Sequence, residues 1–194
     1  MSDINRENIQ KNSREKRIAV RLAECALFVV LMVVSAYIQI PFPLVPLSFQ
    51  TVVAVLAGLL LGAGWGSAAV AVYIFMGLAG LPVFTSGGGF AYVLNLTFGY
   101  VLGFAAAAFA AGIIKGKGTA SLRRLLLAAV VGFLVNYLFG IAYFSLIWKF
   151  YMHNTGLWNA LVVYNFIYMP KDLVLCILAA FLARAVSAAL RSRR

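Results

Sequence analysis

Acidic side chains are scarce in this chain: five Asp and Glu stand against sixteen Lys and Arg in 194 residues, and histidine occurs once. Acid–base or nucleophilic catalysis needs a positioned set of such groups. One Asp in an apolar run, one His and scattered serines offer no recognisable set, so an enzyme is not expected. His153 cannot build a metal site without further ligands and is read as an interfacial residue. Cys25 and Cys176 lie inside apolar runs without C-x-x-C spacing, which makes them small buried hydrophobes rather than a disulfide or zinc pair. No Gly-Lys-Ser/Thr follows the glycine-rich stretch, so the P-loop is excluded as well. Neither a cofactor nor a metal is expected.

Charge of either sign is sparse, at 11% of residues, whereas 64% are hydrophobic and the mean hydropathy is +0.97. A water-soluble globule of this size could not cover itself with so little polar surface. The fold class expected is therefore all-α, a polytopic membrane protein of about six transmembrane helices. A span needs roughly 20 mostly apolar residues. About six runs qualify as candidates: 18–37, 47–61, 65–78, 91–114, 122–152 and 157–190. The second and third are short enough to be one broken hairpin, although Gly62, Gly64 and Gly66 favour a tight turn between two helices. The fifth exceeds one span, as a tilted helix or one continuing past the interface would. Residues 1–17 are read as a polar, basic tail, and 18–194 as a single six-helix transmembrane domain. No A-x-A-like site follows the first long run, which is read as a retained helix.

The basic residues set the orientation, because cationic loops stay on the cytoplasmic side. Fourteen of the sixteen fall in the N-terminal region, the 115–124 loop or the C-terminal end, leaving Lys149 and Lys171 for the other face. Both termini are expected to be cytoplasmic. The net charge of +11 flanks spans, where it fixes topology, so nucleic-acid binding is not expected.

On the outward side three features stand out. Ionisable residues inside a span are costly and mark candidate sites, and Pro170-Lys171-Asp172 opens the apolar run of the last span. Proline is tolerated at the start of a helix, and the residues after it are expected to present free N–H groups. Lys171, Asp172 and these donors would form a polar floor for a ligand bearing hydrogen-bond donors and a carboxylate. Alternatively, the two pair with other helices or snorkel to the interface. Glu24, by contrast, has Arg21 one turn away and reads as a structural ion pair. The second feature is the stretch Gly80-Leu-Pro-Val-Phe-Thr-Ser-Gly-Gly-Gly-Phe90, read as a lid. Within it Phe84, Thr85, Ser86, Gly87, Gly88 and Gly89 are candidate ligand contacts, with Phe84 and Phe90 as apolar cover. Third, Pro41, Pro43 and Pro46 forbid continuous helix before Gln50, which enters the second span as a buried amide.

These blocks carry a resemblance. Ile40-Pro-Phe-Pro-Leu-Val-Pro-Leu-Ser-Phe-Gln50, Ala57-Gly-Leu-Leu-Leu-Gly62, Gly80-Leu-Pro-Val-Phe84 and Gly99-Tyr-Val-Leu-Gly-Phe104 resemble, in order, the BioY family. These are the biotin-specific substrate-binding S components of energy-coupling factor (ECF) transporters, and the resemblance runs from about residue 18 onward. It implies a six-helix protein that captures biotin from outside beneath two loops and has no ATPase of its own. A T component and two ATPase subunits would drive import. A family block before the fourth span, Pro-Thr-Gly-Gly-Tyr, is matched here by Thr97, Gly99 and Tyr100 within Leu96-Thr-Phe-Gly-Tyr100. Thr97 and Tyr100 join Gln50, Asn95, Lys171 and Asp172 as candidate ligand contacts. The family's sixth helix begins Pro-Gly-Asp with a lysine three residues later. Here Lys171 replaces the glycine and Leu175 stands at the lysine position, so Lys171 would meet the vitamin's carboxylate, or the substrate is a related one. The resemblance also implies an A-x-x-x-A contact for the T component on the first helix. Ala26 is followed here by Val30, and Ala19 and Ala23 form an earlier small pair, so these three alanines are the partner-contact candidates. A channel or structural membrane protein is the competing class, one with no evident use for a lid or an asymmetric polar cluster.

Overall fold

In the computed structural model, residues 2–40 and 47–192 are described; Pro41, Pro43 and Pro46 lie outside them. Among the described residues the regular elements are helices, apart from one short antiparallel pairing, β1 (Gln39–Ile40) with β2 (Leu47–Ser48), and an isolated bridge between Phe84 and Gly87. The helices are α1 (Ser2–Tyr37), α2 (Gln50–Leu61), α3 (Ala63–Leu78), α4 (Phe98–Lys115), α5 (Leu122–Leu146), α6 (Leu157–Leu161) and α7 (Met169–Ser192). A π-helical turn, Ile147–Tyr151, extends α5, and another, Val162–Phe166, lies between α6 and α7.

Four stretches are long and apolar enough to cross a bilayer: Gln10–Tyr37, Phe98–Lys115, Leu122–Tyr151 and Leu157–Leu190. The other two expected spans, α2 and α3, have 12 and 16 residues, about 18 and 24 Å at 1.5 Å per residue. They are separate helices, and Gly62 makes the turn between them at φ +85°, a region where a side chain would be strained. The segment expected to be a tail is helical and continues into the first span without a break. The fourth span starts later than its hydropathy suggests, because Phe90–Leu94 is a 3-10 turn and α4 begins only at Phe98. Arg21 and Glu24 form the expected ion pair at 3.0 Å.

α2 organises the bundle. One of its faces, with Ala54 and Ala57, packs among α1, α3 and α4, while Val55 and Leu59 pack among α4, α5 and α7. Its short length is compatible with this position because both faces are covered by longer helices. Gly58 lets α2 lie directly against α4, where an added Cβ would collide with the backbone carbonyl of Ala108. Small residues permit this close approach where apolar burial between helices gives little net drive in lipid. Phe75, Phe109, Leu138 and Leu178 point outward from different helices, as the lipid-facing surface of such a bundle requires.

Candidate functional site

At the end of the bundle where α1 joins α2 and α3 joins α4, a partly open cleft lined by both polar and apolar side chains lies between the helices, the kind of concavity in which small molecules are held. Ser48 of β2 and Gln50 and Thr51 of the first turn of α2 form one wall. Thr85, Tyr92 and Thr97 come from the α3–α4 connection, and Tyr100, Val101 and Phe104 from α4. Tyr137 of α5 and Tyr168, Lys171 and Asp172 around the start of α7 complete it.

Lys171 and Asp172 both line the cleft and are paired with each other. Nζ lies 2.7 Å from Oδ1 of Asp172, donates to the Ser48 carbonyl at 2.8 Å, and sits 5.1 Å from the centre of the Phe49 ring. Asp172, 6% exposed, accepts a 2.8 Å hydrogen bond on Oδ2 from the Tyr137 hydroxyl. The charge pairing leaves Oδ1 without an aligned hydrogen bond from the protein. The floor does not include a free amide at Asp172, in contrast to the sequence expectation: its N–H bonds the Tyr168 carbonyl at 3.2 Å. Helical turns precede Pro170, so this amide is inside a continuing helix rather than at its exposed start. Leu175 is half-buried on α7 and outside the lining, so Lys171 is the cleft's single cation among the described residues.

A directional hydrogen-bond chain runs along the wall contributed by the α3–α4 connection. Thr97 Oγ1 donates to Asn95 Oδ1 at 2.9 Å, which uses the hydroxyl's one proton. Its 3.0 Å contact with the Tyr92 hydroxyl must then be donated by Tyr92, and the 3.0 Å contact between Tyr92 and Thr85 must be donated by Thr85. Thr85 Oγ1 therefore ends the chain as an acceptor with lone pairs to spare. Gln50, 3% exposed, is held at both ends of its amide: Nε2 donates to Tyr73, and Oε1 accepts from Ser48 at 3.4 Å. Tyr100 donates to Asn165 Oδ1 at 2.6 Å, and Asn136 Nδ2 donates to Thr51 at 3.2 Å. The amide of Asn165 and the carbonyl of Asn136 are buried without a hydrogen-bond partner among the described residues.

Of the sequence candidates, Gln50, Thr85, Thr97, Tyr100, Lys171 and Asp172 line the cleft, while Phe84, Ser86, Gly87, Gly88, Gly89 and Asn95 stand outside the lining. Phe84 is 2% exposed and packs edge-on against Tyr73; it is a core residue, whereas Phe90 is 77% exposed. Gly88 leaves no room for a Cβ beside the Leu81 carbonyl, so this stretch is tightly folded back on α3. It is tied to the α1–α2 connection, since Gln39 Nε2 donates to the Thr85 carbonyl at 3.1 Å and the Tyr37 hydroxyl donates to the Pro82 carbonyl. Asn95 acts through Thr97, whose backbone N–H it also accepts at 3.0 Å. Ser48, Thr51, Tyr92, Tyr137 and Tyr168 were not singled out by the sequence. The only signal for the tyrosines was a hydroxyl inside an apolar run. Ala19, Ala23 and Ala26 are exposed on α1, and among the described residues no cluster of three or more His, Cys, Asp or Glu could hold a metal.

The BioY family model matches residues 7–192. A "Probable biotin transporter BioY" of Lysinibacillus sphaericus is 36% identical over 182 residues, 93% of both chains. The biotin transporter BioY of Thermotoga maritima is 34% identical over 164 residues, 84% of this chain and 93% of that one. Among solved structures, the S-component for biotin from an ECF-type ABC transporter has the same fold. Its TM-score is 0.74 at 22% identity, covering 88% of this chain and 92% of that one. Membrane-crossing helices, a polar cleft at one end of the bundle and a family match over nearly the whole length agree: this multi-pass membrane protein belongs to the BioY family.

Proposed function

We propose that the chain is the substrate-binding S component of an ECF-type importer and that its ligand is biotin. The observation that carries this reading is the Lys171–Asp172 pair in a cleft whose lining also presents a hydrogen-bond acceptor at Thr85. Biotin's ureido ring offers two N–H donors and one carbonyl, and its side chain ends in a carboxylate. Asp172 and Thr85 supply acceptors for the ring N–H groups, and Val101 and Phe104 supply apolar wall. Lys171 meets the carboxylate. To do so its Nζ exchanges its contacts with Asp172 and the Ser48 carbonyl for the ligand's carboxylate oxygens. Charge-assisted hydrogen bonds of this kind contribute about 1.5–3 kcal/mol each.

The cleft faces the cell exterior, with both termini cytoplasmic, as the basic residues argue. The chain captures its ligand and does not transform it; a T component and two ATPase subunits supply the energy. Ala19, Ala23 and Ala26 form the α1 surface against which the T component packs, because small side chains allow close helix approach.

The reading is tested in bacterial cells lacking biotin synthesis and their own biotin uptake. The chain expressed with a T component and its ATPases should permit growth on trace biotin and accumulate labelled biotin; without the ATPases accumulation should collapse. No accumulation with the complete, assembled module rejects the biotin reading. Accumulation of another ring-bearing carboxylate vitamin instead would retain the S-component role and change the ligand.

A further inference from the structure

A second cavity, of about 180 Å³, lies where the end of α4, the start of α5 and the last turns of α7 meet. Arg184 on its wall is thirteen residues beyond Lys171 on α7, about 20 Å along the helix axis, so this cavity belongs to the opposite end of the bundle from the biotin cleft. Lys115, Arg184 and Ser187 supply its polar groups, and Leu125, Ala120 and Ala188 its apolar ones. No acid is present in the lining. Lys115 is partly buried, and neither it nor Arg184 has an ion-pair partner among the described residues. The neighbouring Arg124 is otherwise engaged, with Nε donating to the Ile114 carbonyl at 2.7 Å. A cation that only marks topology would be exposed on the rim. Two cations converging on one cavity, one of them partly withdrawn from water, call for an anion.

We infer that this cavity binds a phosphate ester, supplied by the headgroup of an anionic membrane phospholipid. A guanidinium can hold two phosphate oxygens in a fork, an ammonium adds a point charge, and a serine hydroxyl donates to a third oxygen. The apolar wall suits the glycerol and acyl carbons that follow a lipid phosphate. Basic pockets between membrane helices are sites where headgroups are recognised.

The test is thermal unfolding of the full-length chain in neutral detergent, with phosphatidylglycerol, phosphatidylcholine or inorganic phosphate added. Phosphatidylglycerol at about 100 times its dissociation constant should raise the midpoint by roughly 5–10 °C, and phosphatidylcholine should not. Lys115→Gln and Arg184→Gln should each remove more than half of that shift. Lys115→Arg should keep it, and so should Lys149→Gln, which removes a charge outside the cavity. A shift of the same size from inorganic phosphate, lost in the same variants, keeps the phosphate site and makes its source soluble. Equal shifts from both lipids in the wild type, or a full phosphatidylglycerol shift in both glutamine variants, overturn the inference. Biotin binding in these variants should match the wild type, so failure of the biotin reading would be seen separately.

Discussion

Lys171 and Asp172 are chain neighbours whose side chains nevertheless meet, Nζ lying 2.7 Å from Oδ1. Adjacent helical residues point about 100° apart, so the long lysine must fold across the first turn of α7 to make this contact, and the Ser48 carbonyl, 2.8 Å from Nζ, anchors it there. Through the Ser48 carbonyl the pair ties α7 to β2 within the cleft lining. The two opposite charges offset each other, which makes a lysine and an aspartate tolerable at a membrane site.

Replacing Asp172 by Asn retains the shape and the contact with Tyr137 but removes the charged acceptor. Biotin affinity should fall roughly tenfold to a hundredfold, the equivalent of one charge-assisted hydrogen bond, with insertion and folding preserved. Wild-type affinity in Asp172→Asn would remove this carboxylate from the site.

Lys171→Ala should weaken binding of the free acid more than that of biotin methyl ester or amide, because only the acid carries the charge that Lys171 meets. Competition binding with the two ligand forms measures the difference. Equal losses would make Lys171 a structural partner of Asp172 and Ser48 alone.

Orientation can be read by chemical access. In a chain with Cys25 and Cys176 replaced by Ala, Ser86→Cys should react with an impermeant thiol reagent added to intact cells, and Lys117→Cys should not; both positions are exposed. The reverse labelling pattern would place the cleft on the cytoplasmic side.

Much of the site was legible from rare residue types. Lys171, Asp172 and Gln50 stand out because polar groups in apolar runs need a reason, and Thr85 lies in a stretch whose glycines announce irregular backbone. Tyr137 did not stand out, because its ring satisfies the apolar pattern of α5 and only the rotation of that helix decides that its hydroxyl reaches Asp172. The late start of α4 was hidden for a related reason: hydropathy registers Ala91 to Leu96 as apolar without distinguishing a 3-10 turn from a span. Phe84 shows the converse. Its loop position suggested a cover, but packing against Tyr73 and Gly77 makes it core.

Gly58→Ala tests the packing that places the cleft. The added methyl meets the Ala108 carbonyl on α4, and overpacking of this kind costs about 1–3 kcal/mol. Thermal unfolding in detergent should register the loss, whereas an unchanged midpoint would show that α2 and α4 can separate freely.

The most direct measurement is a calorimetric titration of biotin into the purified full-length chain in detergent, with nucleotide and metal removed. Saturable binding at one site per chain is predicted, weakened at least tenfold by Asp172→Asn, since the residues lining the cleft include every group assigned to the ligand. A folded wild-type chain that gives no binding heat with biotin, and no rise in unfolding temperature at saturating biotin, would contradict the account.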